Sequence, residues 1–396
     1  MEGGGVPVRY GVRHISSPYG QLSPVGFWRP VSLAGGRRKP AGPAFLNDCY
    51  RLDLVLSRSF VGCSFVSSRT PKPLPMNILI TGGTGLVGTR LAAVLTQAGH
   101  HVALLSRTPS LGSSYRTFQW DPAAGTIDPA AVPFADAIVN LAGANVGEGK
   151  WTAARKQELL ASRVNGLTLL HRELAQPGHH VHTVLSASAI GLYGNTSDAL
   201  VTEDTPPVGH DLLADLTQAW EQTAAPLATL GLRVVVPRIG VVLSAAGGAL
   251  PAMAGPIKLG FGAPLGSGQQ WVSWIHVDDL CRLFLAMLTD DAWQGPYNAV
   301  APHPVTNGVL TTALAEVLHR PLLLPKIPAF VLQLAMGEQS EMVLTGKRVS
   351  AAKVLAQGFT FQYPALREAL QAFYGPVLTA VPVAPPLLVS AAGAQS

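Results

Sequence analysis

The stretch Met76-Asn-Ile-Leu-Ile-Thr-Gly-Gly-Thr-Gly-Leu-Val-Gly88 constrains this chain more than any other. Ile78, Leu79 and Ile80 form an apolar run that reads as a buried strand, and it leads directly into Gly82, Gly85 and Gly88. Val87, Leu91, Val94, Leu95 and Ala98 then recur at helical spacing until Gly99 stops the helix. Glycine triplets alone are a weak signal, but strand, glycine turn and helix together are the context in which they bind a dinucleotide. One glycine permits the sharp turn, one lets backbone approach a pyrophosphate, and one lets helix pack on strand. The helix start adds unpaired N–H groups for the phosphates. Thr81, Gly82, Gly83, Thr84, Gly85, Leu86, Val87 and Gly88 are the expected phosphate-binding residues.

Strand-like and helix-like segments alternate from Met76 to about Arg238. Strands are expected at His101–Ser106, near Thr117–Trp120, at Ala137–Leu141, Val181–Ser186 and Leu232–Pro237. Helices are expected over Thr152–Leu174 and from about Asp211 to Leu230. Near-continuous apolar strands between helices mean a parallel sheet covered on both faces. The fold class is therefore α/β: a Rossmann-type doubly wound parallel sheet with a smaller C-terminal substrate lobe. The sheet domain is assigned to residues 76–240 and the lobe to 241–375, as part of the same compact unit, with a loose tail over 376–396. In the lobe a helix is expected over Asp278–Leu288, with Asp278 and Asp279 as its N-cap and first-turn acids rather than metal ligands.

Charge is unevenly distributed. Residues 1–75 hold ten Lys and Arg against Glu2, Asp48 and Asp53, a net +7, so the whole-chain +5 leaves −2 for residues 76–396. The folded body thus gives no reason to expect nucleic acid as a partner. Residues 1–75 are rich in Gly, Pro, Ser and Arg; they read as an organelle transit peptide, a disordered tail, or an extension ahead of a start at Met76, the last being preferred. Cys49, Cys63 and Cys281 make neither a disulfide framework nor a metal cluster, and no metal site is expected. No apolar run reaches the ~20 residues of a membrane span. The expected location is cytoplasmic, with organelle import through residues 1–75 as the alternative. The expected partner is an unidentified small-molecule substrate, with no membrane; a homodimer is compatible with the sequence.

At the end of the second strand, where an NAD site carries an acid for the ribose 2′-hydroxyl, this chain has Ser106-Arg107-Thr108. A guanidinium and hydroxyls suit a 2′-phosphate, which favours NADP(H) over NAD(H). The competing reading makes Arg107 an ordinary surface residue.

Thr81-Gly-Gly-Thr-Gly-Leu-Val-Gly88 resembles the opening of the extended short-chain dehydrogenase/reductases, the NAD(P)-dependent epimerase/dehydratase group. Asn140-Leu-Ala-Gly-Ala144 resembles the segment beside the cofactor ribose, which places Leu141, Ala142 and Gly143 in the cofactor site. Ser186-Ala-Ser-Ala-Ile-Gly-Leu-Tyr-Gly194 resembles the serine segment, and Ile275-His-Val-Asp-Asp279 a later signature. With Trp151-Thr152, Ser162-Arg163-Val164, Trp220-Glu221 and Gly358-Phe-Thr-Phe361, the likeness extends to an "epimerase family protein" subgroup with its own C-terminal domain. The likeness implies a fold and a cofactor but not a reaction. The usual Tyr and Lys, four residues apart on one helix, are replaced by Leu213 and Thr217, and no other tyrosine has a lysine four residues on.

Near the expected nicotinamide stand Ser188, Tyr193 and His210. The resemblance gives Ser188 the role of hydrogen-bonding a substrate oxygen, and the alternative has it capping its own turn. Tyr193 is expected mainly to pack beside Gly194, and His210 is a loop histidine that could titrate near neutrality. Family members acting on nucleotide sugars place an Arg before the Ile-His-Val segment. Here Gln269, Gln270 and Trp271 stand there, which argues against a diphosphate substrate. Arg238, Gln270 and Trp271 are the expected substrate contacts, with Lys258 a weaker cation. Two functions remain: an NADP-dependent oxidoreductase or epimerase with a non-standard proton donor, and a non-catalytic NADP(H)-binding sensor or partner-binding module.

Overall fold

The computed structural model describes residues 74–108, 114–196, 198–208 and 211–375. The expectations for residues 1–73 and for 376–396, and that for His210, lie outside the described residues.

β1 (Asn77–Thr81) alternates its apolar side chains between two cores, Ile78 and Ile80 in one and Leu79 in the other. α1 (Leu86–Ala98) lays Leu91, Ala92 and Leu95 on the first core and ends at Gly99, whose φ of 98° suits glycine. β2 (His101–Ser106) and β3 (Arg116–Asp121) follow, and the short antiparallel β4 (Thr126–Ile127) finishes that edge. α2 (Ala131–Phe134) leads to β5 (Ala137–Asn140), and α3 (Ala153–Leu174) to β6 (Thr183–Ser186). β7 (Ser188–Ala189), β8 (Leu200–Val201) and α4 (Leu212–Ala224) precede β9 (Arg233–Ile239). Beyond it come β10 (Val241–Leu243), α5 (Ala249–Lys258), β11 (Trp271–Val272), β12 (Trp274–His276), α6 (Val277–Thr289), β13 (Gly295–Ala299), β14 (Val305–Thr306) and α7 (Asn307–Val317).

The main sheet runs β13-β9-β6-β5-β1-β2-β3-β4 and is parallel except at β4. Strand order reverses between β1 and β5, so the crevice where this fold binds ligands opens at their carboxyl ends. α1 and α6 cover one face through Leu91, Leu95, Leu280, Phe284 and Met287. α3, Trp220 and Leu227 cover the other. Burying each such side chain is worth about 2 kcal/mol, which makes the two sheet faces the main source of stability. Among the described residues, no helix is long and apolar enough to cross a membrane.

Three expectations are corrected. The sheet does not end at residue 240, because β13 adds to β9 at the sheet edge and α6 packs on α1. Both come from the segment assigned to the lobe, whose own core is formed by Leu243, Leu250, Ile257, Trp274, Leu310, Leu314 and Leu370. The helix expected from Asp211 to Leu230 is α-helical only to Ala224 and continues as a 3₁₀ turn, Ala225–Leu230. Pro226 has no N–H for the α-helical ladder, which accounts for the change.

The third correction concerns α6. Its N-cap is His276, whose Nδ1 accepts the Asp278 N–H at 3.0 Å, and both aspartates lie in the first turn. Asp278 is bound by Arg90 of α1 at 2.6 Å. Asp279, fully buried, accepts the Gln362 and Tyr363 N–H groups at 2.7 and 2.8 Å and so fastens the C-terminal segment to α6. The His276 ring is stacked between Tyr363 and Phe373, with centroids 3.9 and 4.4 Å away. Burial pushes its pKa down to about 4, and the opposing pull of Asp278 and Asp279 does not offset this.

A histidine held neutral in the fold stabilises fully above its unfolded pKa of ~6.5, and that contribution is lost as pH falls through about 4. Between these limits the unfolded chain binds the extra proton, so unfolding free energy should fall by up to about 1.4 kcal/mol per pH unit from this group. Urea unfolding of the protein and of His276→Gln from pH 7 to 4.5 measures it. The variant should show the shallower pH dependence, and parallel curves would remove His276 as the cause.

Candidate cofactor and substrate site

The glycine turn joins β1 to α1 by contacts that leave no room for side chains. Gly82 has φ +66°, and a Cβ there would lie 2.7 Å from the Leu141 carbonyl oxygen. A Cβ on Gly88 would lie 2.3 Å from the Gly82 carbonyl oxygen, so α1 meets the strand backbone to backbone. Gly85 differs: its φ is −77° and its only near neighbour would be the Gly82 oxygen at 3.3 Å. Thr84 and Gly85 are exposed at the tip, with Leu86 and Val87 half-buried behind them. No side chain caps α1 and no acid stands in its first turn. Thr152, Asp211 and Thr306, by contrast, accept backbone N–H groups at the starts of α3, α4 and α7. The α1 terminus therefore keeps free donors and its partial positive charge at the crevice, which is what a pyrophosphate requires.

Thr81 plays a different part from that expected. Its buried hydroxyl donates to Asn140 Oδ1 at 2.7 Å and accepts the Leu141 and Ala142 N–H groups, both at 3.1 Å. It positions the loop after β5 and has no hydroxyl capacity left for a ligand. Leu141, Ala142 and Gly143 lie on that loop. Ser162 on α3 secures it by accepting the Ala144 N–H at 2.9 Å, and Arg163 by donating to the Ala144 carbonyl at 3.2 Å. Burial lowers the Arg163 pKa to about 10.

At the end of β2, Ser106 closes its own turn by donating to the Thr108 carbonyl at 2.8 Å. Arg107 is exposed and has no hydrogen bond or ion pair among the described residues. Its guanidinium is thus available to an anion at the adenosine end of the crevice.

The residues expected to meet substrate form instead a closed polar cluster. Ser188 is 2% exposed and donates to Glu221 Oε1 at 2.5 Å. Arg238 is 7% exposed and holds both Glu221 oxygens, at 2.8 and 2.9 Å. Its Nη1 donates to the Tyr193 hydroxyl and to the Glu203 carbonyl, each at 2.9 Å. Tyr193, fully buried, donates in turn to Asn298 Oδ1 at 2.6 Å. Burial alone would lower the Arg238 pKa, but Glu221 and Tyr193 together raise it; burial pushes that of Tyr193 up. Ser188 and Arg238 thus join β7, α4 and β9, with the Ser188 hydroxyl proton and the Arg238 guanidinium both committed to Glu221. The next residue along β7, half-buried Ala189, points the other way and carries no hydroxyl.

The remaining expected contacts are also engaged. Gln270 Nε2 donates to the Leu265 and Val343 carbonyls at 3.0 and 2.7 Å, so it ties lobe segments together. Trp271 donates from Nε1 to Asp198 at 2.8 Å and lies under the Arg348 guanidinium, 4.9 Å from its ring centre. Lys258 sits 4.7 Å over the Tyr374 ring. Leu213 and Thr217 line α4 as the sequence implies, and Thr217 returns its hydroxyl to the Leu213 carbonyl at 2.6 Å.

Sequence reading overlooked Lys347. It is 8% exposed, yet its ammonium has no hydrogen bond or ion pair among the described residues. Burial lowers its pKa, partly opposed by the charges of Asp211 and Glu341. No motif contains it. Only the tertiary fold buries it.

A nine-stranded sheet with its switch point at a bare glycine turn defines a nucleotide-cofactor protein, and comparison with known proteins gives the family. The NAD dependent epimerase/dehydratase family matches residues 78–299, and a Domain of unknown function (DUF1731) matches 327–373; the chain belongs to that epimerase/dehydratase family. Epimerase family protein YfhF of Bacillus subtilis (strain 168) is 37% identical over 299 residues, which are 74% of this chain and 97% of that protein. Epimerase family protein Mb2239 of Mycobacterium bovis is 38% identical over 294 residues, 74% of this chain and 96% of that one. The crystal structure of human epimerase family protein SDR39U1 (isoform 2) with NADPH superposes with a TM-score of 0.69 at 33% identity, over 76% of this chain and 99% of that chain. UDP-glucose 4-epimerase of Thermus thermophilus, solved with NAD, shares the fold at TM-score 0.60 and 20% identity, over 76% and 100% of the two chains.

Replacing Arg238 by Met strands the half-buried Glu221 carboxylate, and the expected loss of stability is about 1.5–3 kcal/mol. Ser188→Ala removes one hydrogen bond to a carboxylate and should cost about 1.5 kcal/mol. Urea unfolding measures both. An Arg238→Met protein of unchanged stability would restore the sequence reading of a free cation.

Proposed function

We propose that the chain is an NADP(H)-binding oxidoreductase or epimerase of the extended short-chain type, acting on a small-molecule substrate without the Tyr-x-x-x-Lys pair. The observation that carries this reading is Arg107 at the end of β2, where an NAD site would present an acid; it has no hydrogen bond or ion pair among the described residues. Its planar fork suits a 2′-phosphate, and the uncapped start of α1 suits the pyrophosphate. Human SDR39U1, solved with NADPH, is in keeping with that choice. When bound, the nicotinamide would supply or take up hydride. The protein's own residues position it: Thr81 and Asn140 set the loop Leu141–Gly143, and the glycine turn brings α1 to the phosphates. A phosphorylated sugar nucleotide is not favoured as substrate, because Gln270 and Trp271 bind other parts of the protein and Arg238 is tied to Glu221.

The second reading, a non-catalytic NADP(H) sensor, is favoured by the identity of Ala189, Leu213 and Thr217, none of which can shuttle a proton along this strip. Transfer of deuterium from labelled NADPH to any substrate excludes it.

Two substitutions test the cofactor reading by calorimetry. Gly85→Ala fits the backbone, so the fold should survive while the added methyl occludes the phosphates and NADPH affinity drops by about 10-fold or more. Arg107→Ala should weaken NADPH by about 10- to 100-fold, the range of a hydrogen bond to a charged group, and leave NADH almost unchanged. Equal losses for both nucleotides would overturn the preference for NADP(H), and no heat with either would overturn the site.

A further inference from the structure

The lobe carries a helix whose composition and surroundings disagree. α8 (Ala329–Met336) has one polar side chain, Gln333, yet it buries only Leu332. Leu334 is 88% exposed, Phe330 69% and Val331 40%. A helix of eight residues is not held by its own hydrogen bonds and depends on packing of its apolar face. One that is apolar nearly all round belongs in a core or an interface.

The chain beside α8 extends the same surface. Ile327 donates its N–H to the Pro264 carbonyl at 2.9 Å and accepts the Gly266 N–H at 2.8 Å, and Lys326 Nζ reaches the Ser267 carbonyl at 2.8 Å. A Cβ on Gly262 would lie 2.9 Å from Leu322 Cδ2. Residues 322–327 therefore run beside 262–267. Leu323 on one stretch, and Leu259 and Phe261 just ahead of the other, are each at least 65% exposed. At roughly 150–200 Å² for a whole side chain of this size, these six leave roughly 700 Å² of apolar side chain in water. That exceeds the roughly 300–600 Å² of the largest patch on an ordinary monomer. It approaches the roughly 800 Å² that each partner gives to a stable complex.

Charge selects the occupant. Between Arg320 and Glu338 the chain has a single charge, Lys326, just ahead of α8, whereas Glu338 and Glu341 follow its other end. A two-fold axis across α8 sets the helix antiparallel to its copy, because such a contact joins the same patch on both chains. Lys326 of each chain then faces the acidic end of the other, and the two helix dipoles oppose. An anionic lipid surface would meet those same two acids and be repelled by them.

We propose that this face is the contact between two copies of the chain, with α8 packed antiparallel on its counterpart across a two-fold axis. The contact uses no residue of the cofactor site and stands apart from the NADP(H) reading. α8 leads directly into Glu338 and Gln339, which dock on Lys156 and the Gly149 carbonyl, so association braces the lobe where it meets the loop after β5.

Interfaces of this area hold with dissociation constants of about 1 μM or tighter. Sedimentation velocity of the full chain at about 10 μM should therefore give twice the 41.5 kDa of one chain. The urea midpoint should also rise with protein concentration. Leu334 scarcely touches its own chain, so Leu334→Glu should keep the fold and weaken the dimer by about 100-fold or more. Lys326→Glu, at the rim, should weaken it by about 5-fold or more without altering the apolar face. Leu160→Glu, at an exposed leucine of α3, should leave the dimer intact. A monomeric wild-type protein overturns the proposal, and so does a dimer that survives Leu334→Glu. An unchanged dissociation constant in Lys326→Glu overturns the antiparallel arrangement, and dissociation by Leu160→Glu alone moves the contact to α3. Monomeric protein that floats with phosphatidylserine vesicles, and no longer does so as Leu334→Glu, gives the face to lipid instead.

Discussion

The near-contact of Gly88 with the Gly82 carbonyl governs the rest of the structure. Because nothing but hydrogens separates them, α1 seats directly on the turn leaving β1, and its free N–H groups are aimed into the crevice beside β5. A single methyl at Gly88 would meet backbone on both Gly82 and Gly83, which cannot rotate away as a side chain can. Gly85 lies one turn nearer the ligand and is free of this constraint. The first of these glycines is thus kept by the fold and the second by the space a phosphate needs. The spacing that looks like one motif answers two different demands.

Polar groups at the carboxyl edge of the sheet divide in the same way. Thr81, Asn140 and Ser186 form a buried ladder across β1, β5 and β6, with hydrogen bonds of 2.7 and 3.4 Å. Ser188, Glu221, Arg238, Tyr193 and Asn298 form a second one that joins β7, α4, β9 and β13. Both satisfy polar atoms that burial would otherwise leave stranded. The serine segment that resembles a catalytic one also ties strands to their neighbours in this chain. Its hydroxyls hold strands together.

What could be read from the sequence was local. Strand β1, the glycine turn, α1, and the start and end of α3 follow from spacing and capping within a few residues, and they match the structure closely. What could not be read depends on partners far apart in the chain. Arg238 looks like a free cation until Glu221 and the Glu203 carbonyl are found around it. Likewise, β13 looks like lobe until it pairs with β9, and the capping role of His276 is hidden behind two aspartates that are better caps by type. Lys347 carried no signal at all, since a lysine in a polar stretch is ordinarily a solvated one. Its backbone is held by Ser273, and its neighbours Gly346 and Arg348 lie against Trp271 and β8, all distant in sequence.

Residues 338 and 339 of the lobe dock on α3 and on the loop after β5. In a helix-borne Tyr and Lys pair, acid and cofactor share one rigid element, and the lobe only encloses substrate. Here α4 presents Leu213 and Thr217, an uncharged strip, in place of that pair. Three contacts hold the lobe segment: Gln339 on the Gly149 carbonyl, Glu338 on Lys156, and Ser273 on the Lys347 backbone. Two of those three contacts reach the loop after β5 and the helix that follows it, the same loop that Thr81 and Ser162 hold beside the cofactor crevice. Cofactor crevice and lobe are thereby referred to one piece of backbone.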